Sequence, residues 1–94
     1  MTKAEIVSKI SEKTGIEKTT TLAVVESLMV EIKDSIKNEE SVFLRGFGTF
    51  LAKKRKEKTG RNISKNTTII IPAHHIPFFK PSKVFKNEVK NNIK

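Results

Sequence analysis

The segment from Lys53 to Lys65 limits the fold of this chain more than any other feature of the sequence. Seven of its thirteen residues are lysine or arginine, and Glu57 is its one acidic residue. Lysine and arginine stay at the protein surface unless they are paired. Because the segment offers almost no apolar side chain to bury, it is expected to project from the body of the protein as an arm.

Strand patterns flank this basic segment on both sides. A strand begins at Thr49, and the residues from Thr67 to Ile71 are β-branched throughout and precede Pro72. Residues 59–62, Thr-Gly-Arg-Asn, have the composition of a turn. The pattern predicts a β-hairpin with a basic tip. A disordered basic loop is the alternative. Both interpretations hold if the arm is disordered in the free protein and folds when it binds its partner.

The charge of the chain is divided unevenly between its two halves. Residues 1–52 carry seven Lys and Arg against eight Asp and Glu, whereas residues 53–94 carry twelve against two. The two halves therefore have net charges of −1 and +10 within a total of +9. This division favours a scaffold joined to a surface that binds a polyanion. A solvated basic face is the alternative, but solubility does not require charges of one sign.

The amino-terminal half predicts two helices. Thr2 and Glu5 have the spacing of a capping box, and Gly15 is placed to end the first helix. A second helix is predicted from Lys18 to Lys37, because its apolar residues recur every three or four positions. This stripe is long enough to face both the first helix and another subunit. Its members are Leu22, Val25, Leu28, Met29, Ile32 and Ile36.

The short length of the chain points to an oligomer. A single domain of 94 residues buries a thin core, and the absence of cysteine removes disulfides and thiolate metal sites as reinforcement. His74 and His75 are adjacent and have no convergent partners in the sequence, so we interpret them as loop residues and not as metal ligands. Association with another subunit is therefore the expected source of additional core.

The centre of the chain predicts a short β-meander. Val42 and Leu44 alternate as in a strand and leave Phe43 on the opposite side. Residues 45–50 are typical of a tight turn that leads into the next strand.

The carboxy-terminal region predicts an extended segment and then a helix. Residues 77–81, Pro-Phe-Phe-Lys-Pro, form an extended crossing, and Pro81 is expected in the first turn of a final helix over residues 82–93.

Four motifs carry a resemblance to a known family. In order and spacing, the chain resembles the bacterial histone-like HU and integration host factor family over essentially its whole length, and such proteins bind DNA through the minor groove. The motifs are Gly-Phe-Gly-Thr-Phe at 46–50, Gly-Arg-Asn at 60–62, Ile-Pro-Ala at 71–73 and Pro-x-Phe-Lys-Pro at 77–81.

The resemblance implies an α+β fold and an intertwined dimer. Two amino-terminal helices form the base, a three-stranded antiparallel sheet carries a long protruding β-arm, and a short helix closes the chain. The partner is a second copy of this chain or a paralogue. The implied single domain spans residues 1–94, divided into a helical dimerisation base (1–40), the sheet and β-arm (41–81) and the carboxy-terminal helix (82–94).

The resemblance also implies the roles of individual residues. Phe47, Phe50 and Phe79 would form an aromatic core shared between subunits. The arm and its approach would meet DNA through Lys53, Lys54, Arg55, Lys56, Lys58, Arg61, Asn62, Ile63 and Lys65. The flanks of the body would meet phosphates through Lys3, Lys80, Lys83 and Lys86.

The chain departs from the family pattern at three places. Ile63 stands where the family usually has the proline that follows Arg-Asn at the arm tip, and we expect it to act as the DNA-intercalating wedge. Ser82 stands where the family often has glycine. Phe43, Ile70 and Phe78 occupy commonly polar positions, where they either pack laterally in the sheet or add a contact surface for DNA or another dimer.

These features predict a non-catalytic protein that bends and compacts double-stranded DNA, without metal, cofactor or small-molecule substrate. A nuclease would need clustered carboxylates to hold metal ions, and the basic half has only Glu57 and Glu88. Sequence-specific RNA-binding modules often show aromatic stacking platforms, whereas this chain has no Tyr or Trp and most of its Phe residues are explained by the core. Without a signal peptide or a membrane-spanning apolar run, the protein is expected in the cytoplasm, on the nucleoid. HU-like and site-preferring binding both remain open.

Overall fold

The computed structural model describes residues 1–62 and 67–93. Within these ranges the elements follow the α+β order expected from the sequence. They are α1 (Lys3–Thr14), α2 (Lys18–Lys37), β1 (Val42–Leu44), β2 (Gly48–Arg55), β3 (Lys58–Asn62), β4 (Thr67–Ile71), β5 (His74–Pro81) and α3 (Lys83–Asn92). The chain forms two compact units, residues 1–34 and 35–94.

The predicted capping box begins α1. The hydroxyl oxygen of Thr2 accepts a hydrogen bond from the Glu5 backbone N–H at 3.2 Å and donates to the Glu5 carboxylate at 3.4 Å. Gly15 ends the helix in the left-handed conformation, with φ 75°, and its N–H donates to the Ser11 carbonyl at 2.9 Å. Both helix signals of the sequence are therefore confirmed.

Little of the first unit is buried. Among the described side chains, Val7 and Thr21 are the two that are buried. The Thr21 hydroxyl satisfies its hydrogen bonding by donating to the Glu17 carbonyl at 3.0 Å. The predicted helix α2 is confirmed with the expected bounds, but its apolar stripe stays partly open to solvent; Leu28, for example, is half exposed.

Three antiparallel strands form the sheet of the second unit, in the order β1-β2-β5. Strand β2 pairs with β1 from Val42 opposite Phe50 to Leu44 opposite Gly48. The β1–β2 connection is the predicted tight turn, closed by the Phe47 N–H donating to the Leu44 carbonyl at 2.9 Å.

Strand β5 corrects the interpretation of the histidines. His74 and His75 are not loop residues, because they pair with Arg55 and Lys54 at the start of an eight-residue strand. The extended crossing predicted at residues 77–81 is the rest of that strand. Pro77 is tolerated inside it because β5 lies at the edge of the sheet, where an amide donor can be absent.

Strands β3 and β4 form a separate two-stranded antiparallel hairpin, with Lys58 opposite Ile71 and Asn62 opposite Thr67. Every residue of β4 is exposed, as expected for an arm that contributes little to a core. The arm is shorter at its base than the sequence suggested. Its first three cations, Lys53 to Arg55, extend β2 within the three-stranded sheet.

The start of α3 differs by one or two residues from the expected position. Pro81 is the last residue of β5, and Ser82 is the N-cap of a helix that begins at Lys83. The Ser82 hydroxyl accepts from the Phe85 N–H at 3.1 Å, a hydrogen bond that glycine in the same place could not make because it has no side chain. None of the helices described is long and apolar enough to cross a membrane.

Candidate nucleic-acid interface

The end of β2 presents three consecutive exposed cations. Lys53, Lys54 and Arg55 follow one another along the strand, so alternation puts Lys53 and Arg55 on one face of the sheet and Lys54 on the other. Strand β5 places His75 opposite Lys54 and His74 opposite Arg55. The three cations of β2 therefore lie beside two imidazole side chains of the neighbouring strand.

The cations continue along the chain from β2 into the hairpin. Lys56 lies between β2 and β3, and Lys58 begins β3; both are exposed. Arg61 and Asn62 lie in β3 by their backbone. Ile63 and Lys65 lie outside the described residues, so their expected contacts with DNA stay predictions.

The beginning of α3 carries a second group of cations. Lys80 is exposed near the end of β5, and Lys83 and Lys86 are exposed and one turn apart on α3. The first turn of α3 has no acidic residue. Lysines at a helix amino terminus oppose the helix macrodipole, so this arrangement does not favour the helix itself. It suits an external anion such as a phosphate.

The turn before β2 holds this second group in place. The Ser82 N–H donates to the Phe47 carbonyl at 2.8 Å, which joins the start of α3 to the β1–β2 turn. Gly48 makes this approach possible. A Cβ atom at Gly48 would lie 2.6 Å from the Lys80 carbonyl oxygen and from the Phe79 ring.

Lys3, the remaining predicted phosphate contact of the body, has an acidic partner. Its ammonium nitrogen lies 2.9 Å from the Glu26 carboxylate, and both side chains are half exposed. Any contact of Lys3 with DNA would therefore replace the Glu26 carboxylate by a phosphate.

The three phenylalanines expected in the dimer core lie together. Phe79 has its ring centroid 4.7 Å from that of Phe50 and 4.9 Å from that of Phe47. Phe85 of α3, which was not predicted in this core, joins them at 5.4 Å from Phe47. The spacing of Phe85 and Val89, four residues apart on one side of α3, was the signal in the sequence that could have assigned Phe85 to an apolar contact.

One chain does not cover this aromatic cluster. Phe47 remains 45% exposed, and several large apolar side chains elsewhere are exposed to a similar degree. In the first unit they include Val24, Leu28 and Val30 of α2. In the second unit they include Val84 and Val89 of α3. Exposed apolar surface of this extent marks interaction sites, and each unit carries its own.

The three apolar departures from the family pattern do not share one environment. Phe43 is 77% exposed and Ile70 is 64% exposed, so lateral packing in the sheet does not cover them. Phe78 is more enclosed, because the ammonium nitrogen of Lys53 lies 4.5 Å from its ring centroid. Alternation correctly predicted that Phe43 faces away from Val42 and Leu44.

The family model of "Bacterial DNA-binding protein" matches residues 1–90. The chain belongs to this family. Its relatives include the DNA-binding protein HU of Thermus thermophilus, which is 39% identical over 96% of this chain and 93% of its own length. The integration host factor subunit alpha of Anaeromyxobacter sp. strain K is 33% identical over 99% of this chain and 82% of its own length.

The fold of this family member also matches a structure that contains DNA. A cocrystal structure of Anabaena HU with DNA superposes with a TM-score of 0.90 at 34% identity, over 95% of this chain and 97% of that chain. The order of helices and strands implied by the sequence resemblance is thus the order of an HU fold.

Proposed function

We propose that this chain, an architectural DNA-binding protein, dimerises, binds duplex DNA in the minor groove with little sequence preference, and bends it. It works without catalysis and compacts DNA on the nucleoid, in the cytoplasm. The observation that carries the proposal is the run of four exposed cations from Lys53 to Lys56, followed by Lys58 at the base of the hairpin, in a chain of the HU and integration host factor family.

The positions of the cations support binding to the phosphate backbone. Lysine and arginine side chains that meet phosphates orient a protein on the duplex and carry no sequence information. The cations of the hairpin base lie on a two-stranded element, and those of α3 lie on the body of the same unit. Two separated groups of this kind suit a duplex that contacts the body and is held by the arms.

The uncovered aromatic cluster supports dimerisation. Phe47, Phe50, Phe79 and Phe85 contact one another but leave Phe47 nearly half exposed in one chain. A second copy that covers these rings would supply the core that a chain of this length lacks. The same interface would accept a paralogue, and the mass and subunit identity of natively purified protein distinguish the two.

Ile63 is proposed as the intercalating residue at the arm tip. Apolar side chains, isoleucine among them, are inserted between base steps by proteins that kink DNA from the minor groove. Its neighbours in the sequence, Arg61 and Asn62, suit the acceptors and the negative potential of that groove. An isoleucine at this place is less rigid than a proline, so the resulting bend is expected to be softer.

The decisive experiment is the salt dependence of duplex binding. Affinity is measured by fluorescence anisotropy over a range of salt concentrations, on several duplexes of unrelated sequence. Each phosphate engaged contributes about −0.9 to the slope of log affinity against log salt concentration, and the slope is expected to be steep and similar for all duplexes. A flat salt response, or one sequence bound more than about a thousandfold tighter than the others, contradicts the proposal.

A further inference from the structure

The two strands of the hairpin each leave one edge open. Strands β3 and β4 pair with each other and form a sheet of two strands, so the far edge of each has no partner strand among the residues that the structure describes. Along such an edge, every second residue points its backbone N–H and C=O outward. These groups can pair with a strand of another chain. The far edge of residues 67–71 is called the β4 edge below.

The β4 edge lacks the features that protect the other strand edges. Natural sheets protect their edges with short strands, prolines or charged residues. At the edges of the larger sheet, β1 has only three residues and β5 contains two prolines and Lys80. In the hairpin, β3 contains Lys58 and Arg61. Strand β4 has five residues, Thr-Thr-Ile-Ile-Ile, and so has neither charge nor proline nor shortness.

The side chains of the β4 edge are also open to contact. Ile70 is 64% exposed, and Ile69 and Ile71 are exposed to a lesser degree. Short segments with high β-propensity, low charge and no proline associate strand to strand when an edge exposes them. The strand therefore combines unpaired backbone groups with apolar side chains that no neighbour in the described part of the chain covers.

We propose that two copies of this chain associate through their β4 edges, by antiparallel pairing of residues 67–71, and that this contact joins one dimer to the next. The proposal goes beyond duplex binding, and it rests on the proposed dimer. Because a dimer has two arms and the contact is the same on both partners, pairing at each arm would connect dimers into a chain.

The register of this pairing follows from the composition of the edge. Pro72 directly follows β4 and has no N–H to donate, so the ladder ends before it. Antiparallel pairing of all five residues then puts Ile69 opposite Ile69 of the second copy, and Thr67 opposite Ile71. Every position meets a β-branched residue, the type that packs well across strands.

A second copy suits the β4 edge because the charge of the hairpin strands lies elsewhere. The chain has a net charge of +9, so two copies repel each other unless their contact keeps the cations apart. The cations of the two strands lie on β3, and β4 has none. In the paired form, the two β3 strands would lie three strand spacings apart, about 14 Å, which exceeds the screening length of about 8 Å at physiological salt.

Partners of other chemistry suit this edge less well. Duplex DNA is held through cations that meet its phosphates, and an acidic polypeptide likewise requires a positive surface. The β4 edge offers only isoleucine, threonine and backbone groups. A second copy presents the same uncharged strand, so the two contact surfaces complement each other.

The test measures the association of the full-length protein, freed of nucleic acid, by sedimentation velocity at micromolar to millimolar concentrations, where open strand edges associate. Species larger than a dimer are expected to increase with concentration. Ile70→Lys is expected to raise the dissociation constant of this association roughly tenfold, because it places charges in the contact. Thr59→Lys is the matched control, since Thr59 pairs with Ile70 on β3 and the charge changes equally. It is expected to associate like the parent, and circular dichroism verifies that both variants fold.

The register is tested directly because the chain contains no cysteine. Directly opposite residues of an antiparallel pair have Cα atoms about 4.5–5.5 Å apart, which is within reach of a disulfide. Ile69→Cys is therefore expected to form a disulfide between two chains when diamide is added as the oxidant, with a yield that rises with protein concentration. Thr59→Cys on β3 is the control and is expected to stay unlinked, because the two β3 strands are too far apart.

Four results would overturn the proposal. The first is a parent protein that sediments as a dimer at every concentration. The second is parental association of folded Ile70→Lys protein, and the third is an equal loss of association in Thr59→Lys, which would make the effect one of net charge. The fourth is cross-linking of Ile69→Cys that does not depend on concentration, which would place the contact within one dimer. Duplex affinity and bending are measured separately, so failure here leaves the proposed duplex function intact and testable.

Discussion

Lys3 and Glu26 form an ion pair between the first turn of α1 and the middle of α2, with 2.9 Å between the ammonium nitrogen and a carboxylate oxygen. Both partners are half exposed, so the pair contributes about 0.2–1 kcal/mol to stability at most. If Lys3 meets DNA as proposed, the pair has a larger consequence there, because Glu26 would compete with phosphate for the same cation.

We therefore expect Glu26→Gln to bind duplex DNA more tightly at low salt, by a few-fold, with little loss of thermal stability. The control is Glu31→Gln, which removes an exposed carboxylate from the same helix and changes the net charge equally. Equal duplex affinities of these two variants would show that affinity depends on the net charge of the protein and not on the Lys3–Glu26 ion pair. Fluorescence anisotropy on one duplex measures the difference.

Lys3→Ala is expected to reduce the salt slope of duplex binding by about 0.9, the contribution of one phosphate contact. Lys13→Ala, which removes an exposed lysine from the last turn of the same helix, is the matched control and is expected to leave the slope unchanged. If the Lys3→Ala and Lys13→Ala proteins have the same salt slope, Lys3 does not belong to the proposed interface.

Gly48→Ala is expected to destabilise the protein by about 1–3 kcal/mol, because the added Cβ atom overlaps the Lys80 carbonyl oxygen and the Phe79 ring at 2.6 Å. Gly60→Ala on β3 is the control, since its Cβ would meet the Ile69 carbonyl oxygen at an ordinary 3.9 Å. Urea unfolding monitored by circular dichroism compares the two. A Gly48→Ala protein as stable as Gly60→Ala would contradict the close approach of β5 to β2.

Phe79→Ala is expected to cost about 3–5 kcal/mol if a second subunit completes the burial of its ring. Phe43→Ala makes the same change at an exposed ring and is expected to stay within about 0.5 kcal/mol. For the parent protein, the unfolding midpoint should rise with protein concentration, as it does for a dimer whose subunits do not fold alone. Cooperative folding of a monomer at nanomolar concentration would refute the dimer.

The wedge at the arm tip is tested by changing Ile63 to Ser and to Pro. We expect Ile63→Ser to lose bending much more than it loses charge-driven affinity, and Ile63→Pro to retain or increase bending, because proline is rigid and apolar. Ile93→Ser, an exposed isoleucine beyond α3, is the control. Bend angles are measured by energy transfer between the ends of one AT-rich duplex, and parental bending by Ile63→Ser would exclude the wedge.

Local sequence determined the elements of this protein. The cap at Thr2, the stop at Gly15, the period of α2 and the turn at residues 45–47 were all predicted, because each depends on hydrogen bonds and backbone preferences within a few residues. The hairpin was predicted for the same reason. His74 and His75 were wrongly predicted as loop residues. They belong to a strand because β2 extends as far as Arg55 and pairs with them there.

Tertiary structure decided which side chains share a surface. The sequence alone does not predict three of the contacts, because each depends on the register or packing of distant elements. These contacts are Phe85 with Phe47, Lys53 with Phe78, and Glu26 with Lys3. Alternation in β1 already turned Phe43 away from its neighbours, but only the pairing of β1, β2 and β5 brought it onto one face with Phe78 and the cations. The sequence determined that this chain would be basic, small and built around an arm. Packing decided which of its rings form a core and which remain exposed beside cations, because burial depends on what lies opposite a side chain in space.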